Sequence, residues 1–134
     1  YIDDYGHHPT EIKKTIQAIR ASFPDFELRM VFQPHRFTRT KDLYEEFIEV
    51  LSHVDELFLL DIYSAGESPI KGIGSEELMK KISDQGFNKV KLLNSGNEII
   101  RSLEDHVDND SVLVMQGAGN ISDVSSEIKK KNLG

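Results

Sequence analysis

The sequence predicts an α/β fold: an open, mostly parallel sheet with helices packed on both of its faces. Three observations carry this expectation. Apolar residues switch repeatedly between the three-to-four spacing of an amphipathic helix and the short runs of buried strands. The two kinds of segment alternate regularly from one end of the chain to the other. Finally, 134 residues with 38% hydrophobic content and 8% aromatics suffice for one ordinary core, so a single domain spanning 1–134 is expected.

A strand over 1–4 opens the chain. Pro9 suits a first helical position, and Ile12, Ile16, Ile19 and Phe23 recur at spacings of four, three and four, giving a helix over 9–22. Pro24 and Pro34 bound a strand over 28–33. Leu43, Phe47, Leu51 and Val54 mark a second helix with Thr38 or Thr40 as its cap. A third strand, 57–62, is followed by a Gly- and Ser-containing loop through residue 75, a helix carrying Leu78 and Ile82, and a strand over 90–93. Ile99, Ile100, Leu103 and Val107 give another helix, 111–115 another strand, and Ile121, Val124 and Ile128 a terminal helix before a lysine tail at 129–131. Such alternation builds a Rossmann-like sheet with right-handed crossovers.

Composition narrows the functional classes. The formal charge of −7 argues against nonspecific nucleic-acid binding, which needs clustered cations on phosphates. The aliphatic and aromatic run at 57–60 is far too short to span a membrane, and no signal-peptide pattern opens the chain, so a cytoplasmic protein is expected. With no cysteine there is no disulfide and no thiolate metal site. Residue 1 is Tyr, already in strand-like sequence, which reads as a piece of a longer protein.

The chemistry-bearing residues fall into four clusters, at 5–8, 35–39, 64–67 and 117–120, each where a strand ends and the chain turns toward a helix. In a parallel sheet these ends share one edge, the usual place for a ligand. In DDYGHHPTEI, Asp3 and Asp4 either cap a turn or accept ribose hydroxyls, and Tyr5 is either core or a ring packed on a nucleobase. His7 and His8 are adjacent and point apart in extended chain, which disfavours a shared metal ion. His7, beside a helix N-terminus, suits donation to an anion. In QPHRFTRT, Arg36 and Arg39 are three apart, so two forked guanidiniums can converge on one carboxylate or phosphate; the alternative is a solvated basic turn. In SAGE, Gly66 serves the backbone, while Glu67 is either solvated or touches a ligand. QGAGN holds a GxG without the third glycine or the later acid of a dinucleotide site, so it reads as a close-packing turn.

DDYGHHPTEI, QPHRFTRT, YSAGE and QGAGNI, in this order and spacing, resemble the C-terminal domain of the bacterial Mur ligases over almost the whole chain. The third motif departs slightly, with Ser64 where related sequences often carry proline. The resemblance implies an enzyme of three domains: an N-terminal UDP-binding domain, a central ATPase domain with the phosphate loop, and this closing domain. No GxxxxGKS or GxxxxGKT occurs in the chain, so ATP and Mg2+ would be held mainly by the central domain. It further implies peptidoglycan precursor synthesis, in which the carboxylate of UDP-N-acetylmuramate is activated as an acyl phosphate and then attacked by the amine of L-alanine. Asp4 would contact the ATP ribose, Tyr5 would lie near the nucleotide, and His7, Arg36 and Arg39 would hold the alanyl carboxylate. His8, His35 and Glu67 are further candidate contacts, and the isolated domain is expected to be inactive. A related ligase that recycles murein tripeptide, and a non-catalytic α/β module binding a nucleotide or anion, are the alternatives.

Overall fold

The computed structural model describes residues 2–4, 6–93, 98, 101, 110–117 and 121, with the backbone alone at Asp3 and Asp4. Among the described residues nine elements with full ranges follow one another: β1 (Ile2–Asp4), α1 (Pro9–Ser22), β2 (Glu27–Gln33), α2 (Phe37–Asp42), α3 (Tyr44–Leu51), β3 (Glu56–Leu59), α4 (Ser75–Asp84), β4 (Val90–Leu92) and β5 (Ser111–Gly117). The strands form one sheet in the order β1-β5-β2-β3-β4. Every pairing among the described residues is parallel, as the predicted open, mostly parallel sheet requires.

Strand alternation divides the core between two faces. On one face Leu28, Met30 and Phe32 of β2 pack with Ile12, Ile16 and Ile19 of α1, Phe47, Ile48 and Leu51 of α3, and Leu78 and Ile82 of α4. Val31, Phe58, Leu113 and Met115 point to the other face, where Ile121 joins them. The helices expected over 99–107 and 121–128 lie outside the described residues, apart from Arg101 and Ile121. Phe23, read as the last member of the first helix's apolar stripe, is instead its C-cap and is 41% exposed. It rests on Phe26, with ring centroids 5.5 Å apart.

Two of the boundaries that differ from the sequence expectation have causes in the surrounding contacts. The second helix starts at Phe37, earlier than a cap at Thr38 or Thr40 would place it, and is interrupted at Leu43, which separates α2 from α3. Neither Thr38 nor Thr40 is its cap; Arg36 holds that position with φ 72°, and no side chain of its own closes the helix start. Thr40 lies inside α2 and donates its hydroxyl to the Arg36 carbonyl at 2.8 Å. The third strand ends at Leu59 rather than 62 because side chains take over the backbone groups that follow. Ser75 Oγ donates to the Leu60 carbonyl and Gln33 Nε2 to the Asp61 carbonyl.

Candidate functional site

Because the five described strands run parallel, the carboxyl ends of β1, β2, β3 and β5 lie along one edge of the sheet. After β1 the chain passes into α1 on the first face, whereas Ile121, just beyond β5, belongs to the second. In parallel sheets, connections that diverge to opposite faces mark where a ligand crevice lies, and β5 sits between β1 and β2 at that point.

The turn after β1 is set by hydrogen bonds to main chain. Gln116, fully buried and paired with Asp4 across the sheet, donates from Nε2 to the Gly6 carbonyl at 2.7 Å. His8 then caps α1: its Nδ1 accepts the Thr10 amide at 3.1 Å, while Glu11 Oε1 accepts the His8 amide at 3.1 Å. This reciprocal pair is a capping box with Pro9 behind it at the first helical position. His8 therefore turns into the helix start, and His7 turns toward the crevice.

His7 lies against His35 with ring centroids 5.3 Å apart, and His35 stacks on Tyr63 at 5.5 Å with 23° between the planes. An isolated parallel bridge between His35 and Tyr63 fixes that stack, with the Arg36 amide donating to the Tyr63 carbonyl at 2.7 Å. Arg39, one turn along, places Nη1 3.2 Å from His35 Nδ1. Burial lowers the pKa of His35 below 6.5, assisted by His7, Arg39 and Arg36, with Glu67 opposing. Arg36 is exposed at the head of α2, three residues from Arg39.

Glu67 has a role that its sequence position did not disclose. Ala65 and Gly66 take positive φ, 51° and 88°, so the chain turns tightly enough to aim the next side chain back at α2. There Oε1 accepts the Phe37 amide at 2.7 Å and the Thr38 amide at 3.2 Å, and Oε2 accepts the Thr38 hydroxyl at 2.6 Å. These bonds, the Thr38 hydroxyl first among them, hold its carboxyl below the usual range against the opposing effect of burial. Glu67 thus caps α2 from a distant loop. Gly117 bears out the close-packing reading: its φ is 138°, and a Cβ there would stand 2.7 Å from the Gln33 carbonyl oxygen. Ala118, Gly119 and Asn120 lie outside the described residues, as do Tyr5 and the side chain of Asp4.

The structure thus gathers His7, His35 and Arg39 into one row at the edge, starts α2 with Arg36, and commits His8 and Glu67 to helix caps. Tyr63, Gln116 and Gln33 complete the frame; each opens a motif quoted above, YSAGE, QGAGN and QPHRFTRT, but none of the three was singled out there. Among the described side chains the row of His7, His35 and Arg39 offers imidazole and guanidinium groups, while the carboxylates of Glu11 and Glu67 accept main-chain amides at the starts of α1 and α2. That row suits an anion.

The Mur ligase, glutamate ligase domain family model matches residues 1–119. UDP-N-acetylmuramate–alanine ligase from Thermotoga maritima superimposes with a TM-score of 0.73 at 21% identity over 96% of this chain. A murein peptide ligase from Psychrobacter arcticus superimposes with a TM-score of 0.73 at 15% identity over 94% of it. MurF ligase from Thermotoga maritima, in complex with ADP, gives 0.58 at 18% over 97%. The chain spans only 25%, 26% and 27% of those three proteins respectively. Matched over most of its length by the family model and sharing the fold of these ligases, the chain belongs to the Mur ligase family, as its C-terminal glutamate ligase domain.

Proposed function

We propose that this chain is the C-terminal closing domain of an ATP-dependent UDP-N-acetylmuramate:L-alanine ligase of the cytoplasm, acting in peptidoglycan precursor synthesis, and that its edge grips the carboxylate of the incoming alanine. The observation that carries this reading is the pairing of Arg36 and Arg39 on one short helix with His7 and His35 beside them, in a chain whose net charge is −7. An amino acid that reacts through its amine must be held by its other end, and a forked cationic clamp does so while leaving the nitrogen free to attack. ATP with Mg2+ would supply carboxylate activation from the central domain. Asp4 and Tyr5, at the end of β1, would meet the nucleotide.

Steady-state kinetics of Arg36→Lys and Arg39→Lys in the full-length ligase, with each substrate varied in turn, test the clamp. Loss of one forked, charge-assisted contact should cost about 1.5–3 kcal/mol, roughly ten- to a hundredfold in alanine efficiency, with ATP and UDP-sugar binding little changed. Lysine preserves charge but not the fork. Wild-type alanine kinetics in both variants would return these arginines to a solvated basic turn. The equal TM-score of the murein peptide ligase supports a second reading, with murein tripeptide as the amine substrate. Turnover of tripeptide in place of alanine would select it.

A further inference from the structure

The contact between His35 and Arg39 restricts the imidazole to one protonation state. A guanidinium has five N–H donors and no acceptor, so Arg39 Nη1, 3.2 Å from His35 Nδ1, can only donate. Nδ1 must then present a lone pair, which places the single ring proton on Nε2. Imidazolium carries a hydrogen on both nitrogens, and it would oppose Arg39 with both a donor and a like charge. We infer that His35 is a positioning residue: its neutral ring holds the Arg39 guanidinium toward the crevice, so that acidification releases Arg39 and weakens the grip on the substrate carboxylate. This rests on the clamp proposed above.

The surroundings favour the neutral ring. His7 faces it from the turn after β1, Arg36 and Arg39 from α2, and Tyr63 stacks on it from the turn after β3, while Glu67 in that same turn is the one group that favours its charge. The Glu67 carboxylate is engaged by the first amides of α2, which limits that influence.

Two measurements test the pair and its consequence separately. In the 134-residue chain, nitrogen-resolved NMR should show Nδ1 of His35 unprotonated at neutral pH, and its titration midpoint should rise in Arg39→Gln. A proton on Nδ1, or a midpoint indifferent to Arg39, overturns the inference. In the full-length ligase, His35→Asn puts a non-titrating acceptor at the place of Nδ1, whereas His35→Gln puts one farther out. Alanine's own ionisation cancels when enzymes are compared at the same pH. The ratio of the wild-type kcat/KM for alanine to that of His35→Asn should fall about tenfold between about pH 8 and about pH 5.5, through KM rather than kcat. His35→Gln should be impaired across the range, with thermal melts confirming that both variants fold. A ratio that does not change with pH overturns the positioning role. Failure of the clamp looks different: wild-type alanine kinetics in Arg39→Lys, with the His35 tautomer and its response to Arg39 intact.

Discussion

Gly117 is the residue at which backbone geometry leaves least freedom. At φ 138° an L side chain is strained, and its Cβ would stand 2.7 Å from the oxygen of Gln33, the residue paired with it across β2 and β5. Gly117→Ala should destabilise the chain by about 1–3 kcal/mol in a denaturant melt, and it should loosen the Gln33 side chain, whose Oε1 accepts the Ile121 amide at 2.9 Å. Glu67 makes a prediction that depends on pH. Its folded pKa lies below the ordinary 4.5, so its contribution is present above that value and is lost as pH falls through the folded pKa. Glu67→Gln should lower the melting temperature at neutral pH and flatten this acid-side decline; identical melting curves from neutral to acid pH would contradict the cap. Both residues show what was legible. The first glycine of the GxG carries its meaning locally, and the sequence yielded it. The meaning of Glu67 lies in amides 29 and 30 residues away, beyond the reach of any spacing rule.

Elements show the same division between local and distant causes. Helix α1 was readable because its proline and its apolar stripe of Ile12, Ile16 and Ile19 are contiguous in sequence, although its cap, His8, was read as a candidate contact. Helix α2 was not, since it begins after a positive-φ arginine and is capped from the turn after β3. A single carboxylate also joins elements at the opposite edge of the sheet. Asp55 Oδ2 accepts from Arg20 of α1 at 2.9 Å and from the Leu28 amide of β2 at 2.7 Å. Burial alone would raise its pKa, but the bonds from Arg20 and Leu28 outweigh it and hold the carboxyl below 3.8. Its side chain is 41% exposed, so solvent screens much of the ion pair. Asp55→Asn should therefore cost about 1 kcal/mol at neutral pH. That loss should shrink as pH falls through the folded pKa, because the wild-type carboxylate is then protonated too. A denaturant titration at neutral and acid pH checks both the size and the trend.

At the scale of the molecule, the alternation of segments predicted a parallel sheet, yet nothing in it placed β5 between β1 and β2. That order depends on which apolar faces meet, and buried parallel strands all read as similar hydrophobic runs. The order matters because it brings the turn carrying His7 and the helix carrying Arg36 and Arg39 to either side of β5. The resulting edge carries Arg36 and Arg39 as donors to an anion, but the chain has no phosphate-loop motif to wrap a triphosphate. Two consequences follow for the 134-residue chain alone. It should melt in one cooperative step, since the same strands carry the cores on both faces of the sheet, and it should release no ADP in response to alanine. ATP should bind it no tighter than roughly millimolar, about 4 kcal/mol, because a few exposed cations attract phosphate without enclosing it. Calorimetric titration at low and high salt decides this: weak binding that fades with salt fits an edge completed by other domains, whereas salt-resistant micromolar binding would identify a self-sufficient nucleotide module.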